Sequence, residues 1–212
     1  MKYYLDITLL PDAEANLGFL WQKVYQQIHI ALAENKIADN RSAISLSIPK
    51  YGDKAFPLGN QIRLIATEAQ LMKLDITKWL NRLTDYVHIK SVKAVPDTVS
   101  QFACFKRKHI KGSKRLEKSL ESKARHQVKK FEVDYDECLT ALKKRHCVDN
   151  SPPPFISLQS LSSDKNMTLL EQAKFPLFIT MEMHNAEVQG EFNCYGLSSL
   201  DVAKTATVPW FE

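Results

Sequence analysis

What constrains this chain most is the order in which its hydrophobic period switches over the first 95 residues. Residues 2–10 alternate with period two and stop at Pro11-Asp12, which predicts a strand. Residues 17–35 then repeat at three and four, with Leu17, Leu20, Trp21, Val24, Ile28 and Ala31 on one face, which predicts an amphipathic helix. Alternation returns over residues 43–48, up to Pro49, and again over 61–67. Residues 50–60, which hold Gly52, Asp53, Pro57 and Gly59, form the loop between. A helical stretch over 68–83, with a break expected near Asp75, leads to a last strand over 87–95 before Pro96. The order β-α-β-β-α-β predicts an α+β chain opening with a ferredoxin-like domain over residues 1–95. That fold hosts many activities, so it leaves function undecided.

Residues 96–212 read as a second α+β domain. An extended stretch over 99–105 runs into a basic segment, and helices are expected over 113–131 and 135–146. The run Asp149–Pro154 breaks the chain. Strands over 155–163 and 175–184, the segment QGEFNCYGLSS and a closing VPWFE follow. The net charge is +5, and its distribution carries the information. Lys106 to Lys130 holds eleven Lys or Arg against Glu117 and Glu121, a local +9, so the rest of the chain sums to −4. In the helix over 113–131 only Leu116, Leu120, Ala124 and Val128 are apolar, a narrow stripe at i+4. Lys114, Lys118, Arg125 and Lys129 line an adjacent stripe, with Arg115 beside them and Lys123 and Lys130 adding charge. Such a helix packs along one edge. Its other face is either simply solvated or the footprint of a polyanion binder.

The remaining features exclude function classes. Apolar runs are too short to span a bilayer, and the first residues read as a strand in place of a signal peptide, so no membrane association is expected. Four cysteines without a C-x-x-C pair do not make a disulfide scaffold, and a reducing cytoplasm is the default location. With six glycines and no Walker loop, G-x-G-x-x-G or H-E-x-x-H, no nucleotide cofactor or catalytic metal is expected. The acids Glu132, Asp134, Asp136 and Glu137 suit a helix N-terminus better than a metal, and Cys138, His146 and Cys147 lack zinc-ligand spacing. Chemistry would therefore fall to side-chain acid–base groups, foremost histidine. Spacing singles out none of the six. His29 follows Ile28 at the edge of the buried helix face, where a histidine can equally be structural.

Five pieces in fixed order point further: Y-L-D-I-T-L-x-P-D at the start, Q-x-I-H-x-A-L closing the first helix, F-I-S-L-Q-S-x-S, F-x-L-F-I, and C-Y-G-L-S followed by V-P-W-F. Together, with the basic helix between the second and third, they make the whole chain resemble the CRISPR-associated endoribonucleases of subtype I-F systems, which cut the repeat hairpin of precursor CRISPR RNA. The resemblance implies a ferredoxin-like domain joined to a domain with a basic RNA-binding helix. It implies His29 as general base, Ser160 holding the attacking 2′-hydroxyl, and Tyr195 orienting the imidazole. Ser162 lies on the same strand face as Ser160 and is the alternative to it. It also implies Phe175 as the aromatic that stacks on the last base pair. Arg107 and His109 fall in the segment that reads base edges, His109 standing where the family has glutamine. Lys114, Arg115, Lys118, Lys123, Arg125 and Lys129 would lie along the hairpin phosphates.

The reaction so implied is a metal-independent transesterification without cofactor, leaving a 2′,3′-cyclic phosphate and a 5′-hydroxyl. The implied partners are the repeat hairpin and the other subunits of a subtype I-F surveillance complex, with the chain monomeric when alone. A hairpin-binding module of the same fold without chemistry is the alternative, and a general basic duplex binder is a third reading. In those readings Ser160 and Ser162 are solvent-face residues, Tyr195 packs a loop and Phe175 is core.

Overall fold

The computed structural model describes residues 2–110, 113–131, 133–148, 152–160 and 174–211. The first strands and helices are β1 (Tyr3–Leu9), α1 (Leu17–Glu34), β2 (Ser45–Ser47), β3 (Gln61–Ala66), α2 (Glu68–Leu74), α3 (Ile76–Trp79), β4 (Val87–Ile89) and β5 (Lys93–Ala94). They build an antiparallel sheet ordered β2-β3-β1-β4, the ferredoxin-like strand order, with β5 also paired to β1. The expected break at Asp75 is real. Its φ of 44° ends α2, and α3 starts a new, short helix beyond it. The strand expected over 87–95 is two strands. Ile7 pairs with Ile89 but Tyr4 with Lys93, so the register shifts by one residue between them, as a bulge does.

The second sheet is ordered β7-β8-β6-β9, from β6 (Gln101–Lys108), β7 (Phe155–Gln159), β8 (Lys174–His184) and β9 (Val208–Trp210). β6 runs three residues past its expected end, so Lys106, Arg107 and Lys108 sit on a strand paired with β8. β7 ends at Gln159. Ser160 follows it outside the strand, and Ser162 lies outside the described residues. The expected boundary at residue 95 falls between the two sheets, yet both belong to one compact unit, residues 1–108 with 154–212. Residues 109–153 form a second.

The first unit has one continuous core. Leu5, Ile7 and Leu9 of β1 alternate inward onto Leu20, Val24, Ile28 and Ala31 of α1, and Ile156, Leu158, Leu177 and Ile179 of the second sheet join the same cluster. Each fully buried large aliphatic side chain contributes about 1.5–3 kcal/mol relative to exposure. Two polar ties fix the frame. The Trp21 indole donates to Gly59 O at 2.8 Å, anchoring the loop over 50–60 on α1. Arg63 on β3 forks onto Asp6 on β1 at 2.6 and 3.1 Å, its third nitrogen donates to Phe211 O at 2.7 Å, and its guanidinium lies 4.6 and 3.9 Å from the ring centroids of Tyr4 and Phe211. A buried guanidinium needs such complete pairing. Here it ties the end of the chain to the first sheet.

The second unit contains α4 (Ser113–Phe131) and α5 (Tyr135–Val148). Of the narrow apolar stripe of α4, Leu120 and Ala124 are buried, Val128 is half-buried and the Leu116 side chain lies outside the described residues; the Gln127 side chain accepts from the buried Cys138 thiol of α5. Lys118, Lys123, Arg125, Lys129 and Lys130 are exposed. Asp134 caps α5, its carboxylate accepting from Glu137 N at 2.9 Å, which is the helix-terminal role expected of that acidic cluster. No helix among the described residues is long and apolar enough to cross a membrane.

Candidate active site

Helix α1 brings together the residues that matter. Tyr25, Gln26 and His29 lie at i, i+1 and i+4, and each grips the C-terminal part of the chain. The Tyr25 hydroxyl donates to Tyr195 O at 2.8 Å. Gln26 makes two bonds with the Gln159 backbone: its Oε1 accepts from Gln159 N at 3.0 Å, and its Nε2 donates to Gln159 O at 3.4 Å. His29 Nδ1 lies 2.9 Å from Cys194 O. A carbonyl oxygen can only accept, so Nδ1 carries the proton and Nε2 keeps the lone pair.

The imidazole is held on its face as well as its edge. It stacks on the Tyr195 ring with centroids 4.1 Å apart and planes 4° from parallel. Burial lowers the His29 pKa from its usual value, and the bond to Cys194 O works weakly against that. The result is a half-buried histidine whose neutral form is favoured by burial, with a fixed tautomer and orientation. That state suits a general base. Burial likewise pushes the Tyr25 phenol far up, so it stays a neutral donor.

The segment opposite α1 owes its shape to Asn193 and Gly196. The Asn193 side chain accepts from Tyr195 N at 2.9 Å and Leu197 N at 3.3 Å, and its carbonyl accepts from Gly196 N at 2.8 Å. Gly196 has φ of +72°, and a Cβ there would come within 2.8 Å of Leu46 Cβ. The turn thus needs glycine on two counts, and it aims the Cys194 carbonyl and the Tyr195 ring at His29. The Cys194 thiol is buried, which pushes its pKa up. It packs, while its backbone oxygen makes the contact.

Arg107 on β6 connects two of the expected aromatics. Its guanidinium lies 5.4 Å from the Phe175 ring centroid and 5.7 Å from that of Tyr195. Phe175 opens β8 opposite Leu158 and is half-buried against the core. Ser160 leaves β7 directly after Gln159, the residue that Gln26 holds. His29, Tyr195, Arg107 and Phe175 are thus linked by direct contacts, and Ser160 adjoins them through Gln159. His109 is exposed beyond β6. Lys118, Lys123, Arg125 and Lys129 belong to the second unit with the backbone of Lys114 and Arg115, whose side chains lie outside the described residues.

Sequence reasoning missed Tyr25, Gln26 and Asn193. Asn193 had a signal, since an asparagine three residues before a glycine is turn chemistry. Tyr25 had none, because its partner lies 170 residues away, and Gln26 opens the motif Q-x-I-H-x-A-L, which does not point to a partner 133 residues away. Among the described residues, no three His, Cys, Asp or Glu side chains converge so as to hold a metal ion.

Comparison with known proteins agrees with the sequence resemblance. A family model described as "CRISPR-associated protein (Cas_Csy4)" matches residues 4–211. The chain is 30% identical over 213 residues to a protein of Escherichia coli (strain UTI89 / UPEC) named CRISPR-associated endonuclease Cas6/Csy4. It is 28% identical over 214 residues to a protein of the same name from Pseudomonas aeruginosa (strain UCBPP-PA14). Each alignment covers the whole of both chains.

Proposed function

The chain belongs to the Cas_Csy4 family of CRISPR-associated proteins, and on that premise we propose that it is the endoribonuclease that processes CRISPR repeats. It binds the repeat hairpin of precursor CRISPR RNA, cleaves the precursor and stays on the product as the hairpin-end subunit of a subtype I-F surveillance complex. The observation that carries this reading is the state of His29: Nδ1–H donated to Cys194 O, ring stacked on Tyr195, and Nε2 left with its lone pair.

The nucleophile is already in the substrate, so the protein has to position it and remove a proton. His29 Nε2 takes the proton of the 2′-hydroxyl beside the scissile phosphate. The 2′-oxygen bonds to phosphorus, the bond to the 5′-oxygen breaks, and that oxygen takes up a proton. The products are a 2′,3′-cyclic phosphate and a 5′-hydroxyl, and no metal takes part. Ser160, or Ser162 in its place, holds the 2′-hydroxyl. Tyr195 and the Cys194 carbonyl hold the imidazole.

Binding draws on other groups. The exposed cations of α4 neutralise phosphates, Phe175 stacks on the terminal base pair, and Arg107 reads a base edge. A-form RNA presents a deep, narrow major groove that single side chains seldom enter, which suits a whole basic helix laid along it.

The test is a labelled repeat hairpin incubated with the protein in EDTA and in magnesium. One cut at the same site in both, abolished by a single 2′-deoxyribose at that site and by His29→Ala, is the expected outcome. Tight binding without a cut would make the chain a hairpin-binding module, and equal affinity for unrelated duplexes would make it a general duplex binder.

A further inference from the structure

β7 is an edge strand of the second sheet, and its outer backbone groups face away from β8. Such groups need partners. At Gln159 the partner is the primary amide of Gln26, which accepts from the backbone N–H and donates to the backbone C=O. A side chain thereby does what a neighbouring strand would do, but at a single residue. That residue is the last of β7, immediately before Ser160. On the other side, Gln26 is one helical turn from His29, so the two lie on the same flank of α1.

Resting on the endoribonuclease reading, we propose that Gln26 is a positioning residue for RNA cleavage: its paired hydrogen bonds lock the end of β7 to α1, so that Ser160 is held in register with the His29 imidazole. The two residues come from distant parts of the sequence, and the lock sits at the point where the chain leaves the strand. Without it, the backbone N–H and C=O of Gln159 lose the partner that ties the end of β7 to α1. Gln26 touches no reacting atom. It acts through Ser160, and its loss leaves the tautomer and the stacking of His29 in place, since those are fixed by Cys194 and Tyr195.

The experiment measures single-turnover cleavage of the repeat hairpin by protein in saturating excess, with hairpin affinity and thermal melting followed in parallel. Gln26→Ala should slow cleavage by about 10- to 100-fold, the scale of an ångström-sized misplacement of a reacting group. Affinity should stay within about threefold, because the phosphate and stacking contacts are elsewhere. The pH of half-maximal rate should not move. Gln26→Met keeps the length and packing of the side chain and deletes both hydrogen bonds, so it should be as slow as the alanine variant. It also decides the matter should Gln26→Ala melt well below the parent. In a Ser160→Ala background the Gln26 substitution should add less than about twofold, because coupled residues are not additive. A parent-like rate in Gln26→Met, or full additivity with Ser160→Ala, overturns the proposal. Failure of the endoribonuclease reading looks different: the parent protein then does not cut, or His29→Ala cuts as the parent does.

Discussion

The ring of Tyr195, and not its hydroxyl, should be what cleavage depends on. The structure gives the ring two partners, the parallel His29 imidazole at 4.1 Å and the Arg107 guanidinium at 5.7 Å. A stacked aromatic pair contributes about 0.5–1.5 kcal/mol beyond its area. A cation over a partly exposed ring adds about 0.5–1 kcal/mol. If the orientation they enforce is fully expressed in the transition state, Tyr195→Ala loses about 1–2.5 kcal/mol there, which is about a 5- to 70-fold slower cut. Tyr195→Phe keeps both contacts and should cut within about twofold of the parent. The measurement is single-turnover cleavage of the repeat hairpin at saturating protein, with affinity determined separately. A phenylalanine variant as slow as the alanine variant would assign the role to the hydroxyl and refute the stacking argument. An alanine variant cutting at the parent rate would remove Tyr195 from the site.

Three further outcomes are expected. Because burial lowers the His29 pKa, kcat/KM should rise with pH through a midpoint below the free-histidine value of about 6.5 and then level off. The same depression means that stability is full above that value and falls as the pH drops through the folded pKa. A midpoint above 7 in the free protein would contradict the burial. Replacing the exposed Lys118 and Arg125 by alanine should weaken hairpin binding and flatten its salt dependence by about one unit of slope per lost phosphate contact. An unchanged slope would turn that face of α4 away from RNA. Phe175→Leu keeps an apolar side chain against the core but removes the flat face, so hairpin affinity should fall by about 1–3 kcal/mol with the melting temperature held. A variant that binds as the parent does but melts early would make Phe175 a core residue only.

What the sequence discloses of this molecule follows the range of the interactions involved. The period of residues 17–35 is a local property, and α1 falls on Leu17–Glu34 as the spacing predicts. The break at Asp75 and the narrow stripe of α4, buried at Leu120 and Ala124, are local too. Where a strand's length depends on its partner, local pattern fails. β6 continues to Lys108 because β8 pairs with it as far as Phe178. The strand over 87–95 divides because β1 accepts it in two registers. The three pairings that build the candidate site, Tyr25 with Tyr195, Gln26 with Gln159 and His29 with Cys194, join residues between 133 and 170 positions apart. No periodicity encodes such pairs. His29, Tyr195 and Phe175 follow from motifs held in common with a family; Gln26 opens the motif that carries His29, but nothing in that motif assigns it a role.

The same geometry explains why a histidine in so ordinary a sequence setting can act as a base. Next to Ile28 at the edge of a helix, an imidazole would be free to turn and would titrate near its usual value. Three long-range features change that. The Asn193–Gly196 turn supplies the carbonyl that fixes the tautomer, Tyr195 supplies the plane that fixes the ring, and closure of the second sheet against α1 supplies the burial that lowers the pKa. Each depends on the others, because the turn keeps its shape only while Gly196 fits beneath Leu46, with Leu46 N donating to Gly196 O at 2.8 Å. The chemistry of His29 is therefore a property of the folded first unit. The affinity proposed for α4 is a property of its exposed cations in the second unit. Separate seats for the proposed proton transfer and the proposed phosphate binding would let cleavage be lost while the hairpin stays bound, which is the independence that the proposed retention of product requires.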